Sequence, residues 1–120
     1  MLPKQHRLPL RIELRRVKKE GRLFQGKLFG LLLAPSSKAQ TRFAFIISTK
    51  VHKKAVKRNR AKRLLASVLR ELLPQMKSGF DGVFLAKKSL VEADFKQIKQ
   101  EVILLLKKVH LLSQDEEINS

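Results

Sequence analysis

Between Lys50 and Arg63 eight of fourteen residues are basic and none is acidic: Lys50, Lys53, Lys54, Lys57, Arg58, Arg60, Lys62 and Arg63. A guanidinium can grip a phosphate through two parallel hydrogen bonds, an ammonium acts as a mobile point charge, and the amide of Asn59 can meet a base edge or a 2′-hydroxyl. The chemistry is recognition of a polyanion. A solvated basic face or a targeting run would share this composition, so the placement of the run has to separate the readings.

Other chemistries lack their residues. A protein nuclease needs paired carboxylates or a histidine-centred acid and base, and the basic half of the chain offers only Glu13, Glu20, His6 and His52, without motif spacing. The chain has no cysteine, which excludes a disulfide scaffold, a thiolate zinc site and a cysteine nucleophile, and suits a reducing cytoplasm. His6, His52 and His110 have no companions at metal-ligand spacing, so no metal site is expected on the protein.

The run sits in an uneven field. The 120 residues carry 27 Lys and Arg against 10 Asp and Glu, a net charge of +17. Residues 1–70 hold 20 basic and 2 acidic residues, net +18, and residues 71–120 hold 7 basic and 8 acidic, net −1. The partner should therefore meet the first half. With 43% hydrophobic residues, charge coexists with a core. The length suits one domain, expected over residues 1–112, with residues 113–120 as an acidic tail. No apolar run approaches the roughly 20 residues of a membrane span, and a peripheral membrane protein is the least favoured reading.

The basic run must be positioned by a helix. From Lys54 to Leu73 the apolar residues Ala61, Leu64, Leu65, Val68, Leu69, Leu72 and Leu73 recur by threes and fours, and Pro74 supplies the stop. Stepping about 100° per residue from Ala61 puts Asn59, Arg63 and Arg70 at about 160°, 200° and 180°, with Lys62 and Arg60 flanking at about 100° and 260°. One side is core and the other is a stripe of cations, which favours nucleic-acid binding over a solvated run.

Around it, Leu10, Leu14 and Val17 predict a short helix stopped by Gly21. Lys27 to Ala34 and Arg42 to Thr49 read as strands, expected to form an antiparallel pair; Gly82 to Lys87 reads as a further strand. A capping-box pair, Ser89 and Glu92, is expected to open a last helix through Phe95, Ile98, Val102, Leu105, Val109 and Leu112 that covers the sheet. Phe29, Phe43, Phe45, Phe84 and Phe95 are assigned to the core. The fold class is α+β, an α/β sandwich.

Arg58-Asn59-Arg60-Ala61-Lys62-Arg63-Leu64 resembles the RNR motif of the bacterial ribonuclease P protein subunit. The resemblance runs in order over about residues 2–112: Leu2-Pro3-Lys4 with Arg7-Leu8 at the opening, Glu20-Gly21 after the first helix, Arg42, Ser48 and Lys50 around the next strand, and Asp81 before the strand to Ala86-Lys87. It implies about four strands in the order α-β-β-β-α-β-α. It also implies a partner, the catalytic RNA subunit, which removes the 5′ leader of precursor tRNA with Mg²⁺ held by the RNA, while the protein binds that RNA and the leader; DNA is not an expected partner. By resemblance, Lys50, Lys53, Lys54, Arg58, Asn59, Arg60, Lys62, Arg63 and Arg70 meet the RNA subunit. The leader would lie in a cleft between the central helix and the sheet. Leu14, Lys18 and Leu32 stand where relatives often have aromatics, implying an apolar and electrostatic contact more than stacking. A ribosomal or other structural RNA-binding protein is the alternative, with no role in tRNA processing.

Overall fold

Gly21 marks a point where backbones nearly touch. A Cβ there would lie 2.4 Å from the Val17 carbonyl oxygen and 2.9 Å from that of Leu33, so only glycine lets the first helix end against the sheet. That helix is α1 (Leu10–Glu20), and the chain continues through β1 (Arg22–Gln25), β2 (Phe29–Pro35), β3 (Arg42–Ile46), α2 (Ala55–Leu72), β4 (Phe80–Ala86), α3 (Lys88–Val91) and α4 (Phe95–Lys108). The computed structural model describes residues 2–113; apart from Ser113, the expected acidic tail lies outside them. The α+β class and element order are as expected, with α3 added. β1 carries no strand signal of its own, because Leu23 and Phe24 are adjacent rather than alternating.

The four strands are ordered β1-β2-β4-β3. The expected antiparallel pairing of the second and third strands is therefore corrected: β4 lies between them, antiparallel to β2 and parallel to β3. Residues such as Gly82, Val83 and Phe84, buried on both faces, suit the centre of a sheet, and α2 supplies the long crossover that a parallel β3–β4 pair requires. The Phe84 ring meets those of Phe29, Phe43 and Phe45 at 5.1, 5.6 and 6.1 Å.

The last helix is corrected in its cap. Ser89 lies in α3, its hydroxyl donating to the Lys27 carbonyl at 3.1 Å, and Asp94 with Gln97 closes the capping box. The Gln97 N–H donates to Asp94 Oδ1 at 2.8 Å and the Asp94 N–H to Gln97 Oε1 at 2.9 Å. Both pairs carry the spacing of the motif; the second sits immediately before the helical run that begins at Phe95.

Alternation divides the sheet between two cores. On one face Phe29, Leu31, Phe43 and Phe84 pack with Leu65, Leu69 and Leu72 of α2 and Ile98, Val102 and Leu106 of α4. On the other, α1 covers a smaller cluster of Leu8, Val17, Ala34, Ala44 and Val83, fringed by the half-buried Leu10, Leu14, Leu32, Ile46 and Leu85.

Candidate nucleic-acid interface

The buried side of α2 is Ala61, Leu65, Ala66, Val68, Leu69 and Leu72; Asn59, Arg60, Arg63 and Arg70 lie exposed on the opposite side. Lys50, Lys53 and Lys54 are exposed in the approach to the helix, and Lys57 is exposed in its first turn. Lys62, half-buried, lines a groove of about 230 Å³ with Leu2, Arg7, Leu10, Phe43 and Phe45. The stripe is thus carried on a helix that its own core holds rigid.

Arg58 differs from its neighbours. It is half-buried, and its Nη1 donates to the carbonyl oxygens of His52 and Lys53, both at 2.8 Å. His52 Nδ1 in turn accepts from the Lys54 N–H at 3.0 Å. Arg58 braces the turn that carries Lys53 and Lys54. Its position about 60° from Ala61, beside the apolar face, is the sequence signal for that role.

The start of α2 breaks the usual rules of helix capping. Lys54 occupies the N-cap without a side-chain cap bond, and no acidic residue lies in the first turn. Uncapped N–H groups and the positive end of the helix dipole face a crowd of cations, which costs stability in the free protein and suits a bound anion.

Leu14, Lys18 and Leu32 do not lie between α2 and the sheet. That interface is filled by side chains such as Phe43 and Leu65, so the expected walls of the cleft are corrected. Leu14 and Leu32 belong to the opposite face, with Ile46 and Leu85, and Lys18 is exposed one turn beyond Leu14. Leu23, paired with Leu32 across β1 and β2, is 50% exposed and continues this apolar strip.

Residue patterns did not reveal the ion cluster beside this face. Asp81 is fully buried and bonded by Arg42 through Nε and Nη2, both at 2.9 Å, and by Arg16 through Nη2. Arg16 Nε also donates to Glu13 at 2.8 Å, and Arg42 Nη2 reaches Glu13 at 3.3 Å. The hydrogen bond from Arg16, aided by Arg42 and opposed by burial, holds the Glu13 carboxyl below the usual glutamate range. The hydrogen bonds that Arg16 donates to Glu13 and Arg42 donates to Asp81, against the same opposing burial, raise both arginines above their usual range. The available signal was two lone acids, Glu13 and Asp81, in basic or apolar surroundings.

A small α+β domain that presents a stripe of cations on the outer side of its central helix, with a second, partly covered sheet face opposite, has the build of a polyanion-binding protein. The family model for ribonuclease P matches residues 2–110. The ribonuclease P protein component of Microcystis aeruginosa is 34% identical over 115 residues, spanning 92% of this chain and 96% of its own; that of Chloroflexus aurantiacus is 36% identical over 101 residues, spanning 83% and 74%. Among solved structures, the RNase P protein of Thermotoga maritima superposes with a TM-score of 0.77 at 29% identity, covering 85% of this chain and 96% of that one. The RNase P protein of Staphylococcus aureus, at 18% identity, shows the same fold with a TM-score of 0.81, covering 90% and 98%. The chain belongs to the family of ribonuclease P protein components. It is a component of an endoribonuclease that acts in tRNA 5′ processing, and the ribosomal alternative is not favoured.

Proposed function

We propose that the exposed side of α2 binds the catalytic RNA subunit of ribonuclease P while the half-open sheet face beside α1 receives the single-stranded 5′ leader of precursor tRNA, in the cytoplasm. The observation that carries this reading is the stripe of Asn59, Arg60, Arg63 and Arg70 on a helix whose other side is core, in a chain of this family. The two faces lie on opposite sides of the sheet, so one protein can hold two RNA segments at once.

In this reading the chemistry belongs to the RNA. Among the described residues no group of three or more His, Asp or Glu is placed to hold a metal ion, and the carboxylates nearest the leader face, Glu13 and Asp81, are engaged by Arg16 and Arg42. The Mg²⁺ of the reaction is in this reading held by the RNA subunit, as the family resemblance implies. Leader contact rests on Leu14, Leu32 and Lys18, an apolar strip beside a cation that favours no particular base.

Replacing Arg60 and Arg63 by alanine tests the α2 assignment. Binding to ribonuclease P RNA should weaken, and its dependence on log salt should flatten by about 0.7 to 0.9 for each phosphate that the variant no longer neutralises. An unchanged salt slope would remove these two side chains from the interface.

A further inference from the structure

We infer that Arg16 and Asp81 are positioning residues that set the roll of α1 over the sheet and thereby the reach of Leu14 and Lys18 toward the leader. The inference rests on the leader face proposed above. Val17 is the only fully buried residue of α1, with Leu10 and Leu14 half-buried beside it, so apolar packing alone leaves the roll of this helix loosely specified. Stepping about 100° per residue, Glu13, Arg16 and Glu20 fall on one flank of α1, while Leu14 and Lys18 fall on the other.

Arg16 is the link between that first flank and the sheet. Its Nε and Nη1 hold Glu13 at 2.8 Å and Glu20 at 3.2 Å within the helix, and Nη1 also donates to the Pro35 carbonyl at 3.0 Å. Its Nη2 reaches Asp81, which faces Ala34 of β2 and Arg42 of β3 in the sheet register. A planar fork bound at several points fixes an orientation that a single contact could not. A buried ion cluster is weak evidence for stability, but it tolerates only a narrow geometry. A roll of about 20° would move a head group roughly 6 Å from the helix axis by about 2 Å, enough to take Lys18 out of hydrogen-bond reach of a phosphate.

Two substitutions of opposite charge separate positioning from simple electrostatics. Asp81→Asn makes the protein more positive, and Arg16→Met makes it less so. The measurement is the leader gain in holoenzyme reconstituted with ribonuclease P RNA: the ratio of Kd for tRNA lacking the leader to Kd for the same tRNA carrying it. Both variants should lose about threefold to tenfold of this gain. Each should still bind the RNA subunit alone within about twofold of wild type, because α2 has its own core on the other face; this also reports that the variant is folded.

Arg16→Met leaves the Asp81–Arg42 pair intact and is the milder change if Asp81→Asn folds poorly. A leader gain that rises in Asp81→Asn and falls in Arg16→Met would show charge alone at work and overturn the inference, as would a gain unchanged in Arg16→Met. Absence of any leader gain in the wild type would overturn the leader-face reading itself, and the inference with it.

Discussion

Arg58 and Arg63 are one turn and a half apart, yet they answer to different demands. Arg58 ties down two carbonyls of the preceding turn, whereas Arg63 stands exposed on the stripe. Arg58→Ala should lower stability by about 1 kcal/mol in urea denaturation, because two partly exposed charge-assisted bonds are removed. Arg63→Ala should change stability by less than about 0.5 kcal/mol while weakening RNA binding. Counting basic residues places both in one class; only the angle from Ala61 separates them. Glu13 gives a test in pH. Its carboxyl is held below the usual range by Arg16 and Arg42, so its contribution is complete above about pH 4.3, the unfolded value, and fades as pH falls toward the lower folded value. Glu13→Gln should therefore be less stable than wild type at pH 7, and the difference should shrink below about pH 4. A gap constant between pH 7 and pH 3 would contradict the ion cluster.

At the scale of elements, α2 is legible in the sequence because both of its faces are local patterns: leucines spaced by threes and fours, cations between them, and Pro74 after them. The pairing of β3 with β4 is not legible in that way. It joins segments that α2 separates, and hydrophobic runs alone do not say which strand takes the centre of the sheet. The proposed leader face is suggested only by resemblance, and Leu14 and Leu32 fall on the sheet face opposite the expected one because which side α2 covers depends on the crossover. The uncapped, cation-crowded start of α2 shows a local rule broken where RNA is proposed to bind. Lys54→Asp, which supplies both a cap and a negative charge at the helix N-terminus, should stabilise the free protein by about 1 kcal/mol in thermal or urea unfolding. The same variant should bind ribonuclease P RNA more weakly. Stabilisation with undiminished binding would detach this turn from the interface.

For the whole molecule, the excess of positive charge in residues 1–70 is partitioned by the fold into surfaces on opposite sides of one sheet: the stripe of α2, and the exposed Arg11, Arg15, Lys18 and Lys19 of α1. The sign and location of the charge were readable along the chain. Its division between two faces was not, because that depends on which sheet face each helix covers. If the two faces hold two RNA segments as proposed, the effect of the protein on cleavage should be largest where Mg²⁺ is too scarce to screen them from one another. The most direct measurement mixes the protein with bacterial ribonuclease P RNA and precursor tRNA at low Mg²⁺ and follows 5′ leader removal. The predicted result is a clear gain in cleavage over RNA alone, with none from the protein alone; no gain, or cleavage without the RNA subunit, would contradict the account.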